Sequence, residues 1–107
     1  MKKPMIKYAD FDKVELITAK VLSAEPFGNK LIKMRVMADH ERTILAGIKA
    51  YYEPEKLVGK TIIIVANLEP KKLAGELSEG MLLAAEKNGK VCMLTTDKKM
   101  PEDSEIH

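Results

Sequence analysis

A chain of 107 residues holds one ordinary domain and leaves no room for two. Hydrophobic residues make up 46 % and charged residues 32 %, enough for a core beneath a densely charged surface. The formal net charge of +2 does not announce a nucleic-acid binder, so any basic surface must come from local clustering.

Met1-Lys2-Lys3-Pro4 is charged but has no apolar stretch after it, so no signal peptide is expected. No apolar run approaches the roughly 20 residues that cross a bilayer. Lys7 to Lys13 predicts a short helical turn, with Asp10 able to cap it and Phe11 dropping into the core. Val14 to Ala24 is the first long strand. Neither of its faces is cleanly polar, which suits a bent strand whose buried face changes partway. Pro26-Phe27-Gly28-Asn29 reads as a turn. Leu31–Ala38 and Thr43–Ala46 form a hairpin across the polar connection Asp39-His40-Glu41-Arg42. Glu53 to Lys60 carries proline at its start and glycine near its end, the punctuation of a one- or two-turn helix. At least one of Tyr51 and Tyr52 should pack that helix against the body.

Thr61 to Ala66 is β-branched and continuous, so it should be a strand buried on both faces. The next strand spans Met81–Ala85, and Asn88-Gly89 is the strongest hairpin signal in the chain. Val91–Leu94 closes that hairpin. The lone cysteine, Cys92, cannot form an internal disulfide; it reads as a small buried hydrophobe in a reducing, cytoplasmic setting. Five or six short strands with regular turns predict an all-β fold, and the length fits a five-stranded barrel better than a sandwich.

Catalytic chemistry is sparse. His40 lies in a polar turn and His107 is the last residue, so nothing has metal-ligand spacing. Ser23, Ser78 and Ser104 have no positioned base, and no glycine-rich phosphate loop is present. No metal, cofactor or catalytic residue is expected.

Three strings are distinctive: Arg42-Thr43-Ile44-Leu45-Ala46-Gly47-Ile48-Lys49-Ala50-Tyr51-Tyr52-Glu53-Pro54-Glu55, Val65-Ala66-Asn67-Leu68-Glu69-Pro70-Lys71-Lys72-Leu73-Ala74-Gly75, and Ser78-Glu79-Gly80-Met81-Leu82-Leu83-Ala84-Ala85. With Phe11–Leu16 and Asn29-Lys30-Leu31, the chain from about Phe11 to Pro101 resembles the tRNA-binding domain at the C-terminus of many methionyl-tRNA synthetases. It also resembles free-standing dimeric tRNA-binding proteins and the cytokine-like auxiliary proteins of synthetase complexes. The resemblance implies an OB-fold, a five-stranded Greek-key barrel over about residues 11–97 with a C-terminal extension over about 98–107. It implies tRNA binding by shape and backbone at the outer corner of the L, no catalysis by the module, and homodimerisation through terminal regions away from the RNA. The family commonly reads Leu-Arg-Val-Gly where this chain has Leu16-Ile17-Thr18-Ala19, so isoleucine replaces a frequent basic residue.

The candidate tRNA-binding residues are Asn29, Lys30, Lys33, Arg42, Asn67, Lys71, Lys72, Ser78 and Met81. Lysines offer flexible point charges to phosphates. Ser78 offers a hydroxyl and a backbone N–H, Asn67 can serve a base edge, and Met81 gives a soft apolar contact. Gly75 and Gly80 allow close approach or positive φ. Each has a bland alternative: solvated lysines, a turn-capping serine, a core methionine, a strand-closing asparagine. With only 5 % aromatic residues, stacking of many single-stranded bases is unavailable, which favours structured RNA. The competing reading is an assembly module, docking through Ile106, Met100 or Met5-Ile6.

Overall fold

The computed structural model describes residues 2–107. Its first element, α1 (Tyr8–Phe11), is a single turn. Asp10 sits at its third position and accepts a hydrogen bond from the Lys7 backbone N–H at 3.2 Å. Phe11 does not enter the core: it stays 44 % exposed, because a four-residue turn has no face to bury.

Strand β1 (Leu16–Phe27) carries the expected bend. Over Leu16–Lys20 it pairs with β4 (Thr61–Val65), and over Lys20–Phe27 its other edge pairs with β2 (Leu31–Met37). The register slips between Val21 and Ser23, a bulge that turns the strand from one side of the body to the other. Ile17, Ala19 and Val21 point inward before it. The strand outruns its predicted end at Ala24 and takes in Pro26 and Phe27, which composition had marked as turn. Past Val21 the edge of β1 away from β2 has no strand partner among the described residues, and proline's missing N–H is tolerated there.

β2 and β3 (Glu41–Ala46) form the predicted hairpin. Ile32, Met34 and Val36 are fully buried, and Lys33, Arg35 and Met37 alternate with them on the other face. The predicted helix is one 3-10 turn, Pro54–Lys56, with Leu57 buried just after it. Tyr52 packs inward and its hydroxyl accepts the Met93 N–H at 2.9 Å; Tyr51 remains exposed. β4 is buried on both faces, as its unbroken β-branched run predicts.

The stretch after β4 is more ordered than its composition suggests. β5 (Lys71–Leu73) and β6 (Glu76–Ser78) pair as a hairpin about Ala74-Gly75. Both turn residues have positive φ, +50° and +87°, the pattern of a tight type I′ connection. Alanine is disfavoured in that conformation, so only Gly75 marks the turn in the sequence. Asn88-Gly89, at +53° and +76°, makes the equivalent turn where it was predicted, between β8 (Ala84–Lys87) and β9 (Lys90–Met93).

The strand expected over Met81–Ala85 is split. β7 (Met81–Leu82) pairs with β4, and Leu83 then changes partner. Its N–H donates to Ile63 at 3.0 Å, and its carbonyl accepts from Leu94 at 3.0 Å. Cys92 is exposed, not buried. Val91 and Met93 take the inward positions of β9, and strand alternation puts Cys92 on the opposite side. Finally β10 (Glu105–Ile106) brings the tail back beside Leu16 and Ile17. Thr18, fully buried, fixes it: its hydroxyl donates to the Pro101 carbonyl at 2.7 Å and accepts the Ser104 N–H at 2.9 Å.

The main sheet runs β3-β2-β1-β4-β7, and β3 comes round to face β6 and β7. Chain order and pairing are those of an OB-fold: a three-strand meander, then a fourth strand returning beside the first. Core residues from all of these strands, with Leu57 and Ile48 from the connection, fill the barrel. No described helix is long and apolar enough to cross a membrane.

Candidate nucleic-acid interface

The seam between β3 and β6–β7 is not a regular ladder. Polar groups from the Ser78-Glu79-Gly80-Met81 string close it. The Ser78 hydroxyl accepts the Leu45 N–H at 3.0 Å and donates to the Gly80 carbonyl at 3.1 Å. Glu79 binds Thr43 twice: its N–H donates to the Thr43 carbonyl at 2.8 Å, and its carboxylate accepts the Thr43 N–H at 2.9 Å. Gly80 has φ +145°, and a Cβ there would lie 3.1 Å from both the Val65 carbonyl oxygen and Ile44 Cδ1.

Arg42 completes this clasp. Arg42 is one of the candidate tRNA-binding residues, yet its guanidinium points inward and the residue is only 7 % exposed. Nη1 donates to the Ala66 carbonyl at 2.8 Å and the Glu79 carbonyl at 2.9 Å. Nε and Nη2 hold the two Asp39 carboxylate oxygens at 3.0 and 2.9 Å. Four of its five N–H donors are thereby engaged. Asp39, at the β2–β3 turn, was read only as part of a polar connection. The available signal was the three-residue spacing of opposite charges across a hairpin. Arg42's hydrogen bonds hold the Asp39 carboxyl down at about 2, with the His40 N–H adding to them and partial burial opposing.

The other candidates fall into groups. Lys33 bridges from β2 to Glu76 on β6, and its ammonium sits 5.8 Å from the Phe27 ring centroid. Asn67 turns away from the hairpin: its amide accepts the Glu15 N–H at 2.8 Å and donates to the Lys13 carbonyl at 2.6 Å, pinning the entry to β1. Lys71, opposite Ser78, and Lys72, opposite Leu77, lie exposed on β5. Neither is in an ion pair among the described residues. Lys72 borders an open depression of about 530 Å³ between β3 and the hairpin, with Thr43, Gly75 and Leu77. Met81, at the start of β7, is 48 % exposed and not a core residue. Asn29 and Lys30 lie at the β1–β2 turn, where a separate depression of about 440 Å³ joins them to Lys49 and Tyr51. Lys49 escaped the sequence reading. Its ammonium donates to the Gly28 carbonyl at 3.0 Å, which places a further cation beside Lys30.

Ser78, Glu79, Gly80 and Arg42 thus converge on one seam, and Lys71, Lys72 and Met81 are displayed around it. Among the described residues no group of acidic, histidine or cysteine side chains could hold a metal ion.

Residues 16–104 match the family described as "Putative tRNA binding domain". Methionine–tRNA ligase of Caldanaerobacter subterraneus is 50 % identical over 94 % of this chain. That of Methanocaldococcus jannaschii is 45 % identical over 98 %. The chain spans only 16 % and 17 % of those two proteins. Among solved structures, a MetRS-related protein from Pyrococcus horikoshii superposes with a TM-score of 0.90 at 36 % identity, covering 98 % of this chain and all of that one. The chaperone CsaA of Bacillus anthracis gives 0.90 at 28 % identity, covering 97 % of this chain and all of its own. The chain belongs to the tRNA-binding domain family, a non-catalytic module homologous to part of the methionyl-tRNA synthetases and to CsaA.

Proposed function

We propose that this domain binds tRNA through its backbone and shape, with little sequence preference, and raises the tRNA affinity of a methionyl-tRNA synthetase to which it is joined or bound. The observation that carries the reading is the β5–β6 hairpin. It is held against β3 by the Arg42–Glu79–Ser78 clasp, and it displays Lys71 and Lys72 exposed and in no ion pair among the described residues. In this reading Lys71, Lys72 and Lys30 neutralise phosphates, with Lys33, Asn29 and Met81 beside them. Arg42, Ser78 and Asn67 act by fixing the loop and strand ends that carry the contacts. The relatives' name, methionine–tRNA ligase, supports the choice of partner.

The test is fluorescence anisotropy with several tRNAs across about 50 to 200 mM salt. Affinity should fall steeply with salt and differ little between tRNAs. Lys71→Ala/Lys72→Ala should weaken all of them alike and flatten the log–log slope by about 0.7 to 0.9 per lysine. Absence of salt-sensitive binding in the parent would sink the reading.

The domain also homodimerises in this reading, through its termini. Met5 is 99 % exposed and Ile6 66 %, with Tyr8, Phe11 and Val14 also uncovered. Tyr8, Phe11 and Val14 line an open depression of about 620 Å³ with Ile106. Such a run of uncovered apolar side chains favours a partner surface. Sedimentation velocity should give a dimer that Ile6→Asp/Phe11→Asp converts to a monomer of unchanged fold. A monomeric parent would leave tRNA binding standing and remove dimerisation.

A further inference from the structure

Lys33, Lys71 and Lys72 lie around the seam, and Lys30 and Lys49 at the β1–β2 turn. A second set lies at the opposite end of β4. Lys20 faces outward from β1, Lys60 immediately precedes β4, and Lys98 and Lys99 follow β9 on the returning tail. These four border two depressions of about 350 and 610 Å³ that share Thr61 and Lys99, so they form one groove. All four lysines are exposed, and none is in an ion pair among the described residues. Two carboxylates, Asp97 and Glu102, also line it, leaving an excess of positive charge. Thr95 and Thr96 add hydroxyls; that of Thr95 donates to the Thr61 carbonyl at 2.8 Å and fixes the tail against β4.

We propose that this groove, between the start of β4 and the tail at 95–102, is a second phosphate-contacting surface for the same RNA. Ammonium groups on flexible stems, set along an open trough that Met93, Met100 and Pro101 also line, suit a chain of phosphates. A folded protein partner would instead need a larger apolar centre. The proposal rests on the tRNA-binding reading. It adds that the RNA contacts both ends of β4, so that no single cluster carries the affinity. Cys92, the only cysteine and exposed, lines the groove and reports on its occupancy.

The test uses the full chain and a fluorescein-labelled tRNA transcript. Parent, Lys60→Gln/Lys98→Gln/Lys99→Gln, and Lys71→Gln/Lys72→Gln are titrated across the same salt range. In parallel, alkylation of Cys92 by N-ethylmaleimide is timed with and without saturating tRNA. The groove variant should flatten the salt slope by about 2 to 3 while melting like the parent. tRNA should slow Cys92 alkylation several-fold in the parent and in the hairpin variant. Binding by the parent with an unchanged slope in the groove variant overturns the groove and leaves the hairpin reading intact. A changed slope without protection of Cys92 also overturns it, since the lysines then act only through the overall field. No binding by the parent at any salt fails the tRNA reading itself, and the groove with it.

Discussion

Arg42→Ala should destabilise the domain by about 3 kcal/mol, mainly by leaving two carbonyl acceptors unmet. That corresponds to a midpoint lower by roughly 12 to 24 °C for a domain of this size. The cause is orphaned acceptors. Removing the guanidinium leaves the Ala66 and Glu79 carbonyls without their Arg42 donor, and Asp39 without its bidentate partner. Each unmet buried acceptor costs about 1–3 kcal/mol. Lysine cannot replace it, since one ammonium cannot span acceptors on three separate segments, so Arg42→Lys should recover less than half of the loss. Thermal melts of the three proteins check this; a change below about 1 kcal/mol would show the clasp to be dispensable.

The same pair sets an acid dependence. Asp39 titrates at about 2 when folded, below its ordinary 3.8, so its contribution is present above that ordinary value. It is lost as pH falls from about 4 towards 2. Because the Asp39 side chain is 38 % exposed, solvent screening holds that contribution below roughly 1 kcal/mol. The stability gap between parent and Arg42→Ala should therefore narrow only slightly across that interval, most of it coming from the two carbonyls. Lost tRNA binding in Arg42→Ala would in turn not establish a phosphate contact, since the variant also loosens the hairpin. The lysine variants carry that question.

Gly80→Ala should cost about 2–3 kcal/mol, for two reasons that act together. A φ of +145° is closed to residues with a Cβ, and the added carbon would press on the Val65 carbonyl at 3.1 Å. Ile44 Cδ1, equally near, is the tip of a side chain and can give way; the β4 backbone cannot. Relief requires moving the Gly80 carbonyl that accepts the Ser78 hydroxyl, and β7 pairs with β4 directly after it. Gly75→Ala is the internal comparison. It also has positive φ, +87°, but open space around the Cβ, so only the conformational cost of about 1–2 kcal/mol applies. Denaturant midpoints at constant m-value rank the two; Gly80→Ala no worse than Gly75→Ala would show that close approach plays no part.

Much of the barrel is legible without coordinates because its cues are local. Alternation in Leu31–Met37, the β-branched run Thr61–Val65 and the Asn88-Gly89 turn each specify their own backbone. The mixed faces of β1 foretold its bend, since a strand that serves two sides of a barrel cannot keep one polar face. What residue type could not fix was direction. Arginine reads as a phosphate ligand until the fold supplies two carbonyls and Asp39 around it, and Ser78 reads as a donor to RNA until the Gly80 carbonyl takes its hydroxyl proton. Asn67 was legible as a polar strand end, but its partners at Lys13 and Glu15 lie more than fifty residues earlier. Cys92 took the exposed side because Val91 and Met93 had the core contacts, and Phe11 stayed out because its helix is one turn long. The sequence by itself determined the β2–β3 hairpin, the buried β4 and the turns with favourable residues. Only the tertiary structure decided which polar groups are consumed in closing the barrel and which stay free, because that depends on pairings between segments distant in the chain.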